Sequence, residues 1–141
     1  EWWTLLLSNP DASLHSHKAA PKASWFSAPA GVAGLDFNYT LAKKECGAEL
    51  YIDRIKGGAA VNEMIFDQLF SVKDAVESAI AFPISWQRLE GKRACRIRID
   101  LPGGYRAPEE EWSVIQDKQI QAMNQLESAL RPILISLNIG R

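Results

Sequence analysis

Little in this chain is extreme, and each shortage narrows what it can be. Cysteine is scarce: Cys46 and Cys95 are the only two among 141 residues. That is too few for a disulfide scaffold, so both read as reduced thiols of a cytoplasmic protein. No apolar run approaches the roughly 18 residues that a membrane span needs, so no membrane partner is expected. Trp2 to Leu7 is apolar, but it lacks the basic start and cleavage site of a signal peptide. Neither sign of charge dominates: 16 Lys and Arg face 17 Asp and Glu, for a net charge of -1. There is no whole-molecule attraction for nucleic acid or anionic lipid, and any basic surface must be local. Gly57-Gly58 and Gly103-Gly104 have neither Walker nor dinucleotide spacing, and no nucleophile elbow places a serine. Internal repeats and low-complexity segments are absent.

What is there is patterned. Cys95, Ile97, Ile99 and Leu101 alternate with Arg96, Arg98 and Asp100. Successive strand side chains point to opposite faces, so this is a half-buried strand with two arginines on its second face. Leu35 to Leu41 and Ala48 to Asp53 alternate in the same way, with Lys43 to Gly47 as a hairpin connection. Trp25-Phe26-Ser27 and Ile84 to Leu89 are further short strands. Glu1 to Leu7 reads as a helix, and Ala12 to Ala23 as a loop. Val61, Met64, Ile65, Leu69, Val72, Val76 and Ile80 recur at helical spacing, with Asn62 a candidate cap and Pro83 the stop. A second long helix follows Pro108. Its buried face is Trp112, Ile115, Met123, Leu126 and Leu130, interrupted by Gln119. Pro132 ends or kinks it, and the apolar Ile133 to Leu137 docks back. The expected fold is α+β: a mixed or antiparallel sheet of four or five strands in two hairpins, two long helices and a short N-terminal helix. The five tryptophans serve as core or interface anchors.

Several groups have chemical potential. Arg96 and Arg98 share a strand face, Lys92 and Arg93 lie at its entry, Arg88 is on the preceding strand, and Tyr105 follows the next turn. Arginine grips phosphate in two places and tyrosine stacks on bases, so these six residues could contact DNA or RNA. Equally, Arg96 and Arg98 could pair across strands with Glu49 and Asp53, and the near-zero net charge favours that pairing. Asp36 and Glu49 sit on successive strands, as in metal nucleases of the PD-(D/E)XK type, whose second acid is followed by x-Lys. Here the tripeptide is Glu49-Leu50-Tyr51, without the lysine, and Glu90-Gly91-Lys92 falls at a turn. A divalent metal is expected only on that reading; otherwise no cofactor is. His15 and His17, with Asp11, are an incomplete metal set and read as solvated.

The ordered set Glu49-Leu50-Tyr51-Ile52, Phe66-Asp67-Gln68-Leu69 with Lys73 and Glu77, Trp86 to Leu89, and Arg96-Ile97 resembles the prokaryotic family called domain of unknown function 4268. The resemblance spans Glu1 to Leu137 and rests on Glu49, Trp86, Arg96 and Arg98. It departs at Gly57 to Ala60 and at Ala81-Phe82-Pro83. It implies a domain often set at the C-terminal end of longer, sometimes nuclease-bearing, defence or DNA-processing proteins, and it implies no activity. The chain opens at Glu1, inside what reads as a helix. It is therefore taken as one domain, 1–141, from the C-terminal part of a longer protein, with a removed initiator methionine as the other account. The functional expectation is a non-catalytic accessory domain contacting nucleic acid or the N-terminal domain of its own chain. The alternatives are a PD-(D/E)XK-like nuclease, active or degenerate, and a homodimerisation module.

Overall fold

The computed structural model describes residues 1–89 and 91–137. Glu90 lies outside the described residues, and with it one residue of the Glu90-Gly91-Lys92 tripeptide. Five strands form one antiparallel sheet: β1 (Trp25–Pro29), β2 (Leu35–Leu41), β3 (Glu45–Ile52), β4 (Ser85–Gln87) and β5 (Cys95–Pro102). Their spatial order is β1-β2-β3-β5-β4. Among the described residues four α-helices accompany it: α1 (Trp2–Leu7), α2 (Gly58–Phe70), α3 (Lys73–Ser78) and α4 (Trp112–Ser136).

Alternation decides which face of the sheet is covered. Phe26, Phe37, Tyr39, Ala48, Leu50, Ile97 and Ile99 all point inward and are buried. They join Ile120, Met123, Leu126 and Leu130 of α4, together with Ile65 and Leu69 of α2, in one core. Burial of this apolar area is the main favourable term in folding. Helix α1 seals one end, with the Trp2 and Trp112 ring centroids 5.2 Å apart. The alternate residues of the same strands face away from all the helices, leaving the second face polar.

Several expectations change in detail. The helix expected from Val61 to Ile80 is two helices, broken at Ser71 and Val72, where Val72 leaves helical geometry at φ -113° and ψ 25°. The Ser71 hydroxyl donates to the Gln68 carbonyl at the break. The apolar period continues through it because Leu69 and Val76 stay buried on both sides. Asn62 is not a cap but fully buried: its Oδ1 accepts from the Arg54 N–H, and its Nδ2 donates to the Arg54 and Arg93 carbonyls. Gln119 does not interrupt the core of α4. It is 0% exposed, accepts from Trp2 Nε1 and donates to the Thr40 and Gly47 carbonyls. Pro132 lies on the exposed side, where water can serve the carbonyl it leaves free, and α4 runs on to Ser136. The β2–β3 connection is shorter than expected, since Cys46 and Gly47 already pair in β3. His15 is not solvated: it is buried among Phe26 and Tyr39, with Nε2 3.0 Å from the Phe37 carbonyl oxygen.

Candidate nucleic-acid interface

The polar face is organised in rows, because antiparallel register aligns side chains across the strands. One row is Ser27, Asn38, Glu49, Arg98 and Ser85, one residue from each strand. Hydrogen bonds run along it. Ser27 Oγ donates to Asn38 Oδ1 at 2.7 Å, and Asn38 Nδ2 donates to Glu49 Oε2 at 3.0 Å. Arg98 reaches the other Glu49 oxygen at 3.4 Å and donates through Nε to Asp100 at 2.7 Å. Glu49 is only 4% exposed, and its buried charge is matched by Arg98 and by Arg96, whose nearest nitrogen is 3.8 Å away. A carboxylate at this depth needs such partners, since an unmatched buried charge costs several kcal/mol.

The next row is Asp36, Tyr51, Arg96 and Gln87. Arg96 donates through Nε to Gln87 Oε1 at 2.9 Å, which leaves N–H groups free for a ligand. Tyr51 is half-buried between its two charged neighbours. Asp36 is also half-buried, and burial raises its pKa above the usual carboxylate value, against the Lys18 charge. In the third row Trp25 flanks Thr40, and 55% of it is exposed. Beside Thr40 stands Gly47, where a Cβ would come within 2.3 Å of the Ile99 carbonyl oxygen. The close approach of that carbonyl leaves no room for a side chain at Gly47, and a depression of about 490 Å³ spans Trp25, Asp36, Asn38, Glu49, Tyr51 and Arg96.

A second depression, of about 370 Å³, adjoins it across Tyr51 and Arg96 and is also bordered by Asp53, Lys92 and Arg93. Three cations, Lys92, Arg93 and Arg96, there face one carboxylate, Asp53. Arg93 holds Asp53 with two nitrogens, one at 2.8 Å, and that bond raises the arginine's own pKa. Lys92 projects into solvent from the turn that ends β4's connection to β5.

Of the six sequence-selected cationic and aromatic residues, Lys92, Arg93 and Arg96 therefore come together. Arg98 is on the same face but engaged by Glu49, Asp100 and Thr40. Arg88 lies apart, gripping Asp67 of α2 with two nitrogens at 3.0 Å. Tyr105 stands beside Lys43 and Lys44 at the β2–β3 turn. The acids Asp36 and Glu49 share one face and one depression, yet both Glu49 oxygens are taken up by Asn38 and Arg98. Among the described residues no group of three or more His, Cys, Asp or Glu could hold a metal ion. Cys46 and Cys95 are buried, and the Cys46 thiol is pushed up to about 12 by burial and by Glu45 and Asp100. It stays protonated and is no nucleophile. Sequence reasoning passed over Trp25, Ser27, Asn38 and Tyr51, although their alternation with core residues marks them as outward-facing.

Fold and site together define an α+β domain with one helix-covered sheet face and one open, polar, aromatic-edged face. The chain belongs to the family described as Domain of unknown function (DUF4268), which matches residues 1–134. No curated protein and no solved structure matches it. No helix among the described residues is long and apolar enough to cross a membrane.

Proposed function

We propose that this domain is a non-catalytic binding module that contacts single-stranded nucleic acid through the open sheet face. Phosphate is held by Lys92, Arg93 and Arg96, and bases lie against Tyr51 and Trp25. The observation that carries this reading is the continuity of the two depressions. A cationic one opens, across the shared Tyr51 and Arg96, onto a polar one of mixed charge edged by an exposed tryptophan. Single strands bind where a charged track adjoins aromatic platforms, since every base has a stacking face and every nucleotide a phosphate. A duplex would find too little positive charge here. Buried reduced thiols suit a cytoplasmic setting beside a nucleic-acid-processing neighbour.

The test is fluorescence anisotropy with a short labelled single-stranded oligonucleotide over a salt series. Two to three phosphate contacts give a log–log slope of roughly -1.4 to -2. Lys92→Ala combined with Arg96→Ala lowers both affinity and slope. Binding that ignores salt, or that survives the double substitution, overturns the reading.

A further inference from the structure

We infer that the row Asp36, Tyr51 and Arg96 reads guanine: the base stacks on Tyr51, its Watson–Crick edge meets the Asp36 carboxylate, and its phosphate meets Arg96. This rests on the single-strand reading above and names the base that the site selects. Register puts the three side chains on adjacent strands, with Asp36 opposite Tyr51 and Tyr51 opposite Arg96. Side chains opposed in this way stand about 5 Å apart at Cβ, close enough for one nucleotide to touch all three.

Asp36 differs from the acids around it. Glu49 is held by Asn38 and Arg98, and Asp53 by Arg93. Among the described residues the Asp36 carboxylate accepts no hydrogen bond and forms no ion pair, and the charge acting on it is that of Lys18. It is nonetheless half-buried and borders the larger depression. An ionised carboxylate is acceptor-only, with two oxygens side by side. Guanine alone among the four bases offers two adjacent donors, N1–H and N2–H, to match them. Adenine, cytosine and thymine each place an acceptor where the carboxylate needs a donor. That mismatch leaves a desolvated oxygen facing a lone pair, the kind of unpaired polar contact by which sites reject a near-isostere. On the other side of Tyr51, Arg96 keeps free N–H groups for phosphate after donating to Gln87.

The experiment is anisotropy with thymidine oligonucleotides that carry one central guanine, adenine or cytosine, on the wild type and on Asp36→Asn. The guanine strand is expected to bind about tenfold tighter than all-thymidine, the low end of what a two-point base contact provides. Asp36→Asn should erase that preference, because an amide offers one donor and one acceptor and so matches the donor-plus-acceptor edges that all four bases present, and the lost negative charge should raise affinity for every strand. A merely structural role for Asp36 would weaken binding of every strand alike and leave guanine preferred. Equal binding of all strands by the wild type, or a guanine preference that survives Asp36→Asn, overturns the base assignment while the single-strand reading stands. Absence of binding to every strand overturns both.

Discussion

Acid should unfold this domain through one residue first. His15 is 0% exposed, flanked by the Phe26 and Tyr39 rings at 4.9 and 4.6 Å, and anchored by Nε2 to the Phe37 carbonyl. A carbonyl only accepts, so Nε2 carries the proton and Nδ1 is the bare nitrogen, buried without a partner. Protonating Nδ1 would put a cation into an aromatic core. Burial accordingly lowers the pKa from 6.5 to about 4, although the bond to the Phe37 carbonyl pulls the other way. In the unfolded chain the same imidazole takes its proton near 6.5. Below that pH the unfolded state binds a proton that the folded state refuses, so stability is full above 6.5 and is lost down to about 4. A gap of this size is worth roughly 3 kcal/mol, or about 1.4 kcal/mol per pH unit inside the window. Asp36 works in the opposite sense, because its raised pKa makes the folded state hold a proton as pH falls, and it offsets part of the loss. The assay is urea denaturation followed by tryptophan fluorescence between pH 7.5 and 4.5, on the wild type and on His15→Gln. Glutamine keeps an N–H for the Phe37 carbonyl and does not titrate. Wild-type stability should fall with acid and the variant's should stay nearly level. A flat wild-type profile, or the same slope in His15→Gln, would refute the reasoning.

Three further substitutions probe the polar groups that join the elements. Gln119→Leu strands the Trp2 indole N–H inside the core and takes one bond each from the Thr40 and Gly47 carbonyls, which keep their ladder pairing, and thermal melting should register a loss of about 1–3 kcal/mol. Glu49→Gln removes the charge that Arg96 and Arg98 share, so stability should drop by roughly 1–3 kcal/mol while oligonucleotide affinity rises. A variant that loses both would contradict the ion-pair account. Asn62→Ala cuts three bonds to the backbones of Arg54 and Arg93, costs about 2–4 kcal/mol, and should weaken oligonucleotide binding by loosening the turn that carries Lys92 and Arg93.

These predictions fall mostly on residues that patterning alone does not rank. The strands β2, β3 and β5 are legible because period-two alternation is a local property, and one face of each is buried. Helix α4 is legible for the same reason at period 3.6. The break between α2 and α3 is not, because a single displaced turn at Ser71 and Val72 leaves Leu69 and Val76 on the same buried side. Buried amides are harder still. Asn62 and Gln119 carry polar side chains at core positions, and only the arrival of distant carbonyls from Arg93, Thr40 and Gly47 makes those positions favourable. Hydrophobicity counts them as interruptions; hydrogen-bond geometry makes them clamps.

The site shows where local reading stops. That Glu49 and the two arginines face the same way follows from alternation within each strand. Whether they meet depends on strand order, and β5 lies between β3 and β4 only because α2 and α3 carry the chain past the position that β5 later fills. That insertion brings Glu49 opposite Arg98 and Tyr51 opposite Arg96. It also separates Asp53 from both arginines on the strand and leaves it to Arg93 at the turn. With Glu49 committed to Arg98, the half-buried acid without a side-chain partner among the described residues is Asp36, two residues along β2 from the Asn38 that Glu49 accepts from. The same register that neutralises one carboxylate thus frees its neighbour, and an unpartnered acceptor next to an aromatic ring is what a base-reading surface requires.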